Sequence, residues 1–162
     1  MSESPNEVLF RGLMEAMNAR RFDRLGQFLH EDYTEDYPQS GERITSLAAF
    51  RAILDQYPGR EAERARPTTV PEAGDLRVSG GHDQWVLSPS FTVIRTVSTS
   101  DEVTAVRRIH YPDGSAWWAI GIYHVRAGKI ASGVTYFAAP FEAPAWRAPY
   151  VERISAAGDA EG

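Results

Sequence analysis

The feature that most restricts what this chain can become is a switch of hydrophobic period to two from Trp85 onward, interrupted only by short turns. Residues 91–98 alternate Phe91, Val93 and Val97 against Thr92, Ile94 and Thr96. Residues 102–111, 116–126 and 130–137 follow as further β-rich runs. Between them lie residues 98–101, Pro112-Asp113-Gly114 and Ala127-Gly128-Lys129, which are turn formers. A parallel return needs a crossover of a dozen or more residues, so strands joined this closely pair antiparallel. The second half of the chain therefore predicts a meander of long strands.

The first half has the helical period instead. Ser4-Pro5-Asn6-Glu7 has the form of a capping box with proline at the first helical position, and Val8, Leu9, Leu13, Met14 and Met17 then form one apolar stripe. A second short helix takes Phe22, Leu25, Phe28 and Leu29 to one side. A short extended piece over 33–37 closes at Pro38 and the turn Gln39-Ser40-Gly41. Thr45-Ser46 caps a third helix carrying Leu47, Phe50, Ile53, Leu54 and Tyr57, with Pro58-Gly59 as its stop. Residues 60–75 form a charged, then proline- and glycine-bearing connector leading to a strand near Leu76 and Val78 and a turn at Gly80-Gly81-His82-Asp83.

Helices followed by a meander predict an α+β domain: a cone-shaped, curved antiparallel sheet packed on three N-terminal helices and enclosing a pocket. One domain is expected over 1–162, ordered over about 5–154, with 155–162 a flexible tail.

Composition narrows the function. The net charge of −5, with no basic run, argues against a nucleic-acid partner. The chain has no cysteine, hence no disulfide or thiolate chemistry. His30, His82, His110 and His124 are scattered without metal-ligand spacing, and no phosphate loop, dinucleotide glycine fingerprint or nucleophile elbow is present. Neither metal nor cofactor is expected. The longest weakly polar run, 116–125, falls short of the ~20 residues of a membrane helix, and residues 1–7 lack a leader pattern. A cytoplasmic protein with no membrane partner is expected.

Four segments resemble a known family. Residues 18–25, Asn-Ala-Arg-Arg-Phe-Asp-Arg-Leu, resemble the helix junction of SnoaL-like and ketosteroid isomerase-like proteins. Residues 37–44, Tyr-Pro-Gln-Ser-Gly-Glu-Arg-Ile, resemble their entry to the third helix, and residues 123–130, Tyr-His-Val-Arg-Ala-Gly-Lys-Ile, their hairpin. Residues 136–147 resemble a C-terminal signature of bacterial members. The resemblance is to the SnoaL-like branch of the nuclear transport factor 2-like superfamily. It implies the fold just described and sheet-to-sheet dimers. It leaves the activity open among isomerases, polyketide cyclases, epoxide hydrolases, dehydratases and proteins without chemistry. The positions that carry the steroid-isomerase triad fall on Leu13, Tyr37 and Gly121, so that triad is absent. The Arg-x-Asp of limonene epoxide hydrolases falls on Arg108-Ile109-His110 and their second acid on Ala138, so that two-carboxylate scheme is absent too.

The remaining candidates follow from strand alternation. Arg108 and His110 share a face, which the resemblance turns into the pocket. There His110 would be a general base near neutral pH and Arg108 would hold an enolate-like oxygen. The plain alternative is a histidine ending a strand before Pro112. Tyr33, Glu35 and Tyr37 face one way, Thr34 and Asp36 the other. Either the two phenols enter the pocket to bind a carbonyl, which is preferred, or Asp36 enters as acid/base. Trp117, Gly121 and Tyr123 share one face of the third long strand; Trp118, Ile120, Ile122 and His124 share the other. A strand apolar on both faces needs two covers, so Trp117 and Tyr123 are expected against the pocket. Trp118, Ile120 and Ile122 are expected to face a second copy of the chain, forming a homodimer. Tyr136 and Phe137 alternate, so only one can line the pocket, and Tyr136 is the candidate. Trp146 and Arg147 belong to a proline-rich tail that packs against the pocket mouth or dimer seam.

Two functions survive: a cofactor-independent isomerase, cyclase or dehydratase working by proton transfer on a small apolar or aromatic oxygenated metabolite, or a non-catalytic binding domain of the same shape.

Overall fold

The computed structural model describes residues 3–57, 90–111 and 115–154. Readings made for 58–89, 112–114 and 155–162, including the Pro58-Gly59 stop, the connector and the strand near Leu76, lie outside these residues.

Helix α1 spans Pro5–Asn18 and starts as its sequence dictates. The Ser4 hydroxyl accepts from the Glu7 amide, while the Glu7 carboxylate accepts from the Ser4 amide at 2.8 Å. That backbone bond, the largest influence on it, lowers the Glu7 pKa. Phe10, Leu13, Met14, Ala16 and Met17 form the buried stripe. The helix ends in a Schellman turn: the Arg21 amide donates to the Ala16 carbonyl at 2.8 Å and the Arg20 amide to Met17 at 3.1 Å. Arg20 occupies the left-handed position of that turn with φ 57°.

The expected second helix is a 3-10 segment, Phe22–Gln27, burying Phe22 and Leu25. The extended piece is longer than its composition suggests, because β1 runs Leu29–Tyr37. β2 (Glu42–Ile44) folds back on it as a hairpin. Helix α2, Leu47–Asp55, is capped by the Ser46 hydroxyl. Then come β3 (Ser90–Ser98), β4 (Glu102–His110), β5 (Ala116–Arg126) and β6 (Lys129–Ala138), followed by a 3-10 segment, Ala145–Tyr150. Ala127 and Gly128, both with positive φ, make the two-residue turn between β5 and β6.

The six strands form one curved, unclosed sheet in the order β2-β1-β6-β5-β4-β3. β3 to β6 are the antiparallel meander. The exception to antiparallel pairing is β1 on β6, which is parallel and joins residues far apart in the chain. One face of the sheet meets the helical layer: Leu29, Val103, Ala105 and Ile130 of the strands are fully buried with Phe10 of α1 and Leu25 of the 3-10 segment.

Helix α1 is also pinned to the edge strand. The Asn18 side chain donates to the Phe91 carbonyl and accepts from the Phe91 amide, both at 2.8 Å, as a neighbouring strand would. Thr96 donates to Glu7, and Ser98 meets Ser4. These last contacts exist because of a bulge between Val93 and Arg95. Alternation predicts Val97 beside Phe91 and Val93; the bulge instead turns Thr96 and Ser98 toward the helix and leaves Val97 51% exposed. Among the described residues no helix is long and apolar enough to cross a membrane.

Candidate functional site

A cavity of about 210 Å³ lies between α1, α2 and the inner face of the sheet. That is below the roughly 300–1,000 Å³ of pockets for drug-sized ligands, so it suits a single small molecule. Its wall is mostly apolar and aromatic, from Leu13 and Met17 of α1, Phe50 and Leu54 of α2, and Phe91 and Ile109 of the sheet.

The polar groups converge from four strands. β1 alternates Tyr33, Glu35 and Tyr37 inward; β4 contributes Arg107; β5 and β6 contribute Tyr123 and Thr135. Glu35 and Arg107 are 5% and 6% exposed, so both charges depend on their hydrogen bonds. Arg107 Nη2 donates to Tyr123 Oη at 2.6 Å and to Thr135 Oγ1 at 3.3 Å. Thr135 donates to Glu35 Oε1 at 2.6 Å, and Tyr37 donates to Glu35 Oε2 at 3.3 Å. Thr135 has a single proton, which Glu35 takes. The 2.9 Å contact between Tyr123 and Thr135 is therefore donated by Tyr123. Protons thus point one way through the network, from Arg107 toward Glu35.

Thr135 stands between the two charges. The guanidinium of Arg107 lies 5.6–5.9 Å from the ring centres of Phe10, Phe91 and Tyr123, and its Nε is buried without an acceptor. Burial first, with the Glu35 charge also contributing, raises all three phenols: Tyr123 to about 12, Tyr37 further still, and Tyr33 well above its usual value. They remain protonated donors at neutral pH.

Two glycines create this arrangement. A Cβ on Gly121 would strike the hydroxyl end of the Tyr123 ring, and one on Gly133 would meet its other edge. The ring therefore lies flat across both, with its hydroxyl at Thr135, the partner of Gly121 across the ladder. Where isomerases are expected to carry an acid, this chain has the space its tyrosine needs.

The inward face of β4 differs from the expected one. Val103, Ala105, Arg107 and Ile109 face the core, which puts Arg108 and His110 on the opposite side of the sheet from the pocket. Arg108 stacks on Trp118, its neighbour across the ladder, at 4.6 Å, and His110 is exposed at the strand end. The assignment of base and oxyanion partner to those two fails on geometry. Asp36 also points away from the pocket, held by a two-point pair with Arg43 at 2.5 and 2.7 Å that lowers its pKa. Tyr136 is 46% exposed, and Phe137 lines the cavity instead, edge-on to Tyr37. Trp117 shares the inner face but not the lining; it contacts Tyr111, which does line the cavity. Tyr33, Tyr37 and Tyr123 are where the preferred reading put them.

Arg107, Glu35 and Thr135 were not singled out by sequence. The signal for Arg107 is its parity with three apolar residues, Val103, Ala105 and Ile109. For Glu35 it is a carboxylate between two tyrosines on one face. Thr135 carries no such mark.

The profile of the SnoaL-like domain matches residues 10–133. No curated protein sequence matches the chain. Among solved structures, a candidate ketosteroid isomerase from Kribbella flavida DSM 17836 superposes with a TM-score of 0.70 at 20% identity, over 94% of this chain and 91% of that one. An NTF-2 like protein of unknown function from Burkholderia xenovorans LB400 gives 0.67 at 26% identity, over 93% and 96%. A candidate SnoaL-like polyketide cyclase from Shewanella putrefaciens CN-32 gives 0.59 at 12% identity, over 85% and 82%.

Proposed function

Because this chain belongs to the SnoaL-like domain family, we propose that its cavity binds one small, mostly apolar carbonyl compound and moves a proton on the carbon beside that carbonyl without a bound cofactor. Isomerisation, dehydration and aldol-type cyclisation all contain this step. The observation that carries the reading is Glu35, a buried carboxylate on the wall of an apolar cavity, linked through one hydroxyl to a buried arginine.

Glu35 is the base. As it takes the proton from carbon, negative charge passes to the substrate oxygen, where Arg107 stabilises it with phenolic donors nearby. Negative charge leaves Glu35 as it arrives near Arg107, so the net charge of the low-dielectric site stays constant. Tyr37 and Thr135 hold the carboxylate for attack. Arg108 and His110 have no part in this scheme.

The test is exchange of the protons beside the carbonyl of butyrophenone in D2O, followed by NMR. Glu35→Gln should lower the protein-catalysed rate by about 100-fold or more. Equal rates for wild type and variant would remove the enzyme reading. The second reading, a non-catalytic binding domain, is favoured by the internal bonds already made by Glu35 and Arg107. It predicts binding of the ketone without exchange.

The same reading includes a homodimer through the outer sheet face, supported by Ile120, Ile122 and Tyr136, which lie 41–46% exposed there.

A further inference from the structure

The segment after β6, residues 139–154, takes no part in the proposed chemistry. Phe141, Trp146, Tyr150 and Ile154 are 71–89% exposed, and the 3-10 segment Ala145–Tyr150 buries none of its residues. None of these side chains lines the cavity. A tail that only needs solvating is polar, whereas Phe141, Trp146 and Tyr150 put three aromatic rings within ten residues.

The shape of the segment is restricted even so. Pro140, Pro144 and Pro149 fix φ at three points, and the Arg147 amide donates to the Pro144 carbonyl at 3.0 Å. The Arg147 guanidinium lies over the Trp146 ring at 5.5 Å. A short 3-10 turn has little stability of its own, and a segment stiffened by proline loses little entropy when it docks. These are the properties of a docking arm.

The surface that fits it belongs to a second copy of the chain. Within one chain the arm and the outer face of the sheet both stand uncovered: Ile94 and Val97 of β3 are 43% and 51% exposed, beyond Ile120, Ile122 and Tyr136. The arm starts at the end of that face, because Ala138, the last residue of β6, pairs with Trp118. In two chains joined through their outer faces, each arm therefore leaves from the seam. Eight residues separate Ala138 from Trp146, a reach of up to ~26 Å or about five strand spacings.

Charge permits the approach. Glu142 and Glu152 balance Arg147 and Arg153, so a neutral arm meets a chain of net charge −5 without net repulsion. Area favours it as well. At about 150–250 Å² per aromatic side chain, the rings of two arms remove about 900–1,500 Å² from water, before the surface they cover is counted. A stable interface takes about 1,200–2,000 Å².

We propose that residues 139–154 form an arm that crosses to a second copy of this chain and sets Trp146 and Tyr150 on Ile94 and Val97 of the partner subunit. This rests on the homodimer reading above and adds the contact that closes the side of the seam.

The experiment places p-benzoylphenylalanine at position 146 of the full chain, mixes it with 15N-labelled wild type and irradiates. Mass spectrometry should find a cross-link between a light and a heavy chain, on the peptide holding residues 90–98. Light scattering over a dilution series should show the dimer weakened about tenfold or more by Trp146→Ala and by Tyr150→Ala, with unchanged circular dichroism. The arm is overturned if cross-links are absent, fall only within one chain or lie away from 90–98, or if neither substitution weakens the dimer. A wild type of single-chain mass removes the arm and the dimer together. Ile120→Glu tells the two contacts apart. A dimer lost in Ile120→Glu and intact in Trp146→Ala keeps the sheet contact and removes the arm. A light–heavy cross-link that persists in Ile120→Glu does the reverse.

Discussion

At Gly121 and Gly133 a methyl group would strike the ring of Tyr123, and neither glycine has a positive φ that would explain it otherwise. Gly121→Ala should therefore cost about 1–3 kcal/mol by overpacking and displace the phenol from Arg107, read by urea unfolding together with loss of ketone binding. The same phenol sets an alkaline limit. Its pKa is about 12 when folded against 10.0 for the reference tyrosine, so the folded state favours the neutral form. That stabilisation is complete below pH ~10. It declines as the pH rises from ~10 to ~12, where the unfolded chain ionises and the folded one does not, and two units amount to about 2.7 kcal/mol. Tyr33 and Tyr37 act in the same direction. Unfolding free energies at pH 9 and pH 11.5 should show the drop, and Tyr123→Phe should flatten part of it. An unchanged slope in that variant would remove the phenol from the account.

Among the elements, α1 and β3 hold the helical layer over the cavity through Asn18 and the bulged strand. Asn18→Ala should cost about 1–3 kcal/mol, from two hydrogen bonds at about 0.5–1.5 kcal/mol each, with faster amide exchange at Phe91. Helix α1 was legible down to its capping box, because capping chemistry is local. So was the meander, because its turns are short. The bulge in β3 was not: Ile94 and Arg95 fit either face, and tertiary contacts of Thr96 and Ser98 with α1 select the register. The parallel pairing of β1 with β6 was not legible either, since it joins segments about a hundred residues apart. In β4 the residue pattern points both ways. Val103, Ala105 and Ile109 vote for Arg107 inward, and the pattern match to an Arg-x-Asp strand voted for Arg108. Burial of three apolar side chains outweighed the match, and a one-residue change of parity exchanged the site residues.

For the whole molecule, the outer face of the sheet displays Ile120, Ile122 and Tyr136 around the Arg108–Trp118 stack. Light scattering should give twice the mass of one chain, and Ile120→Glu should return it to a single chain with an unchanged circular dichroism spectrum. A wild type of single-chain mass refutes the dimer. The tyrosine lying over Gly121 also bears on descent within the family. Replacing Gly121 by aspartate, the shortest mutational route to an isomerase-type acid, collides with that ring. Shrinking Tyr123 first strands Arg107 without its closest acceptor. Either order passes through a less stable intermediate, so the two sites are epistatic. Under the proposed function, a lineage with this pocket keeps Glu35 as its acid and gains new chemistry around it rather than through an acid at position 121.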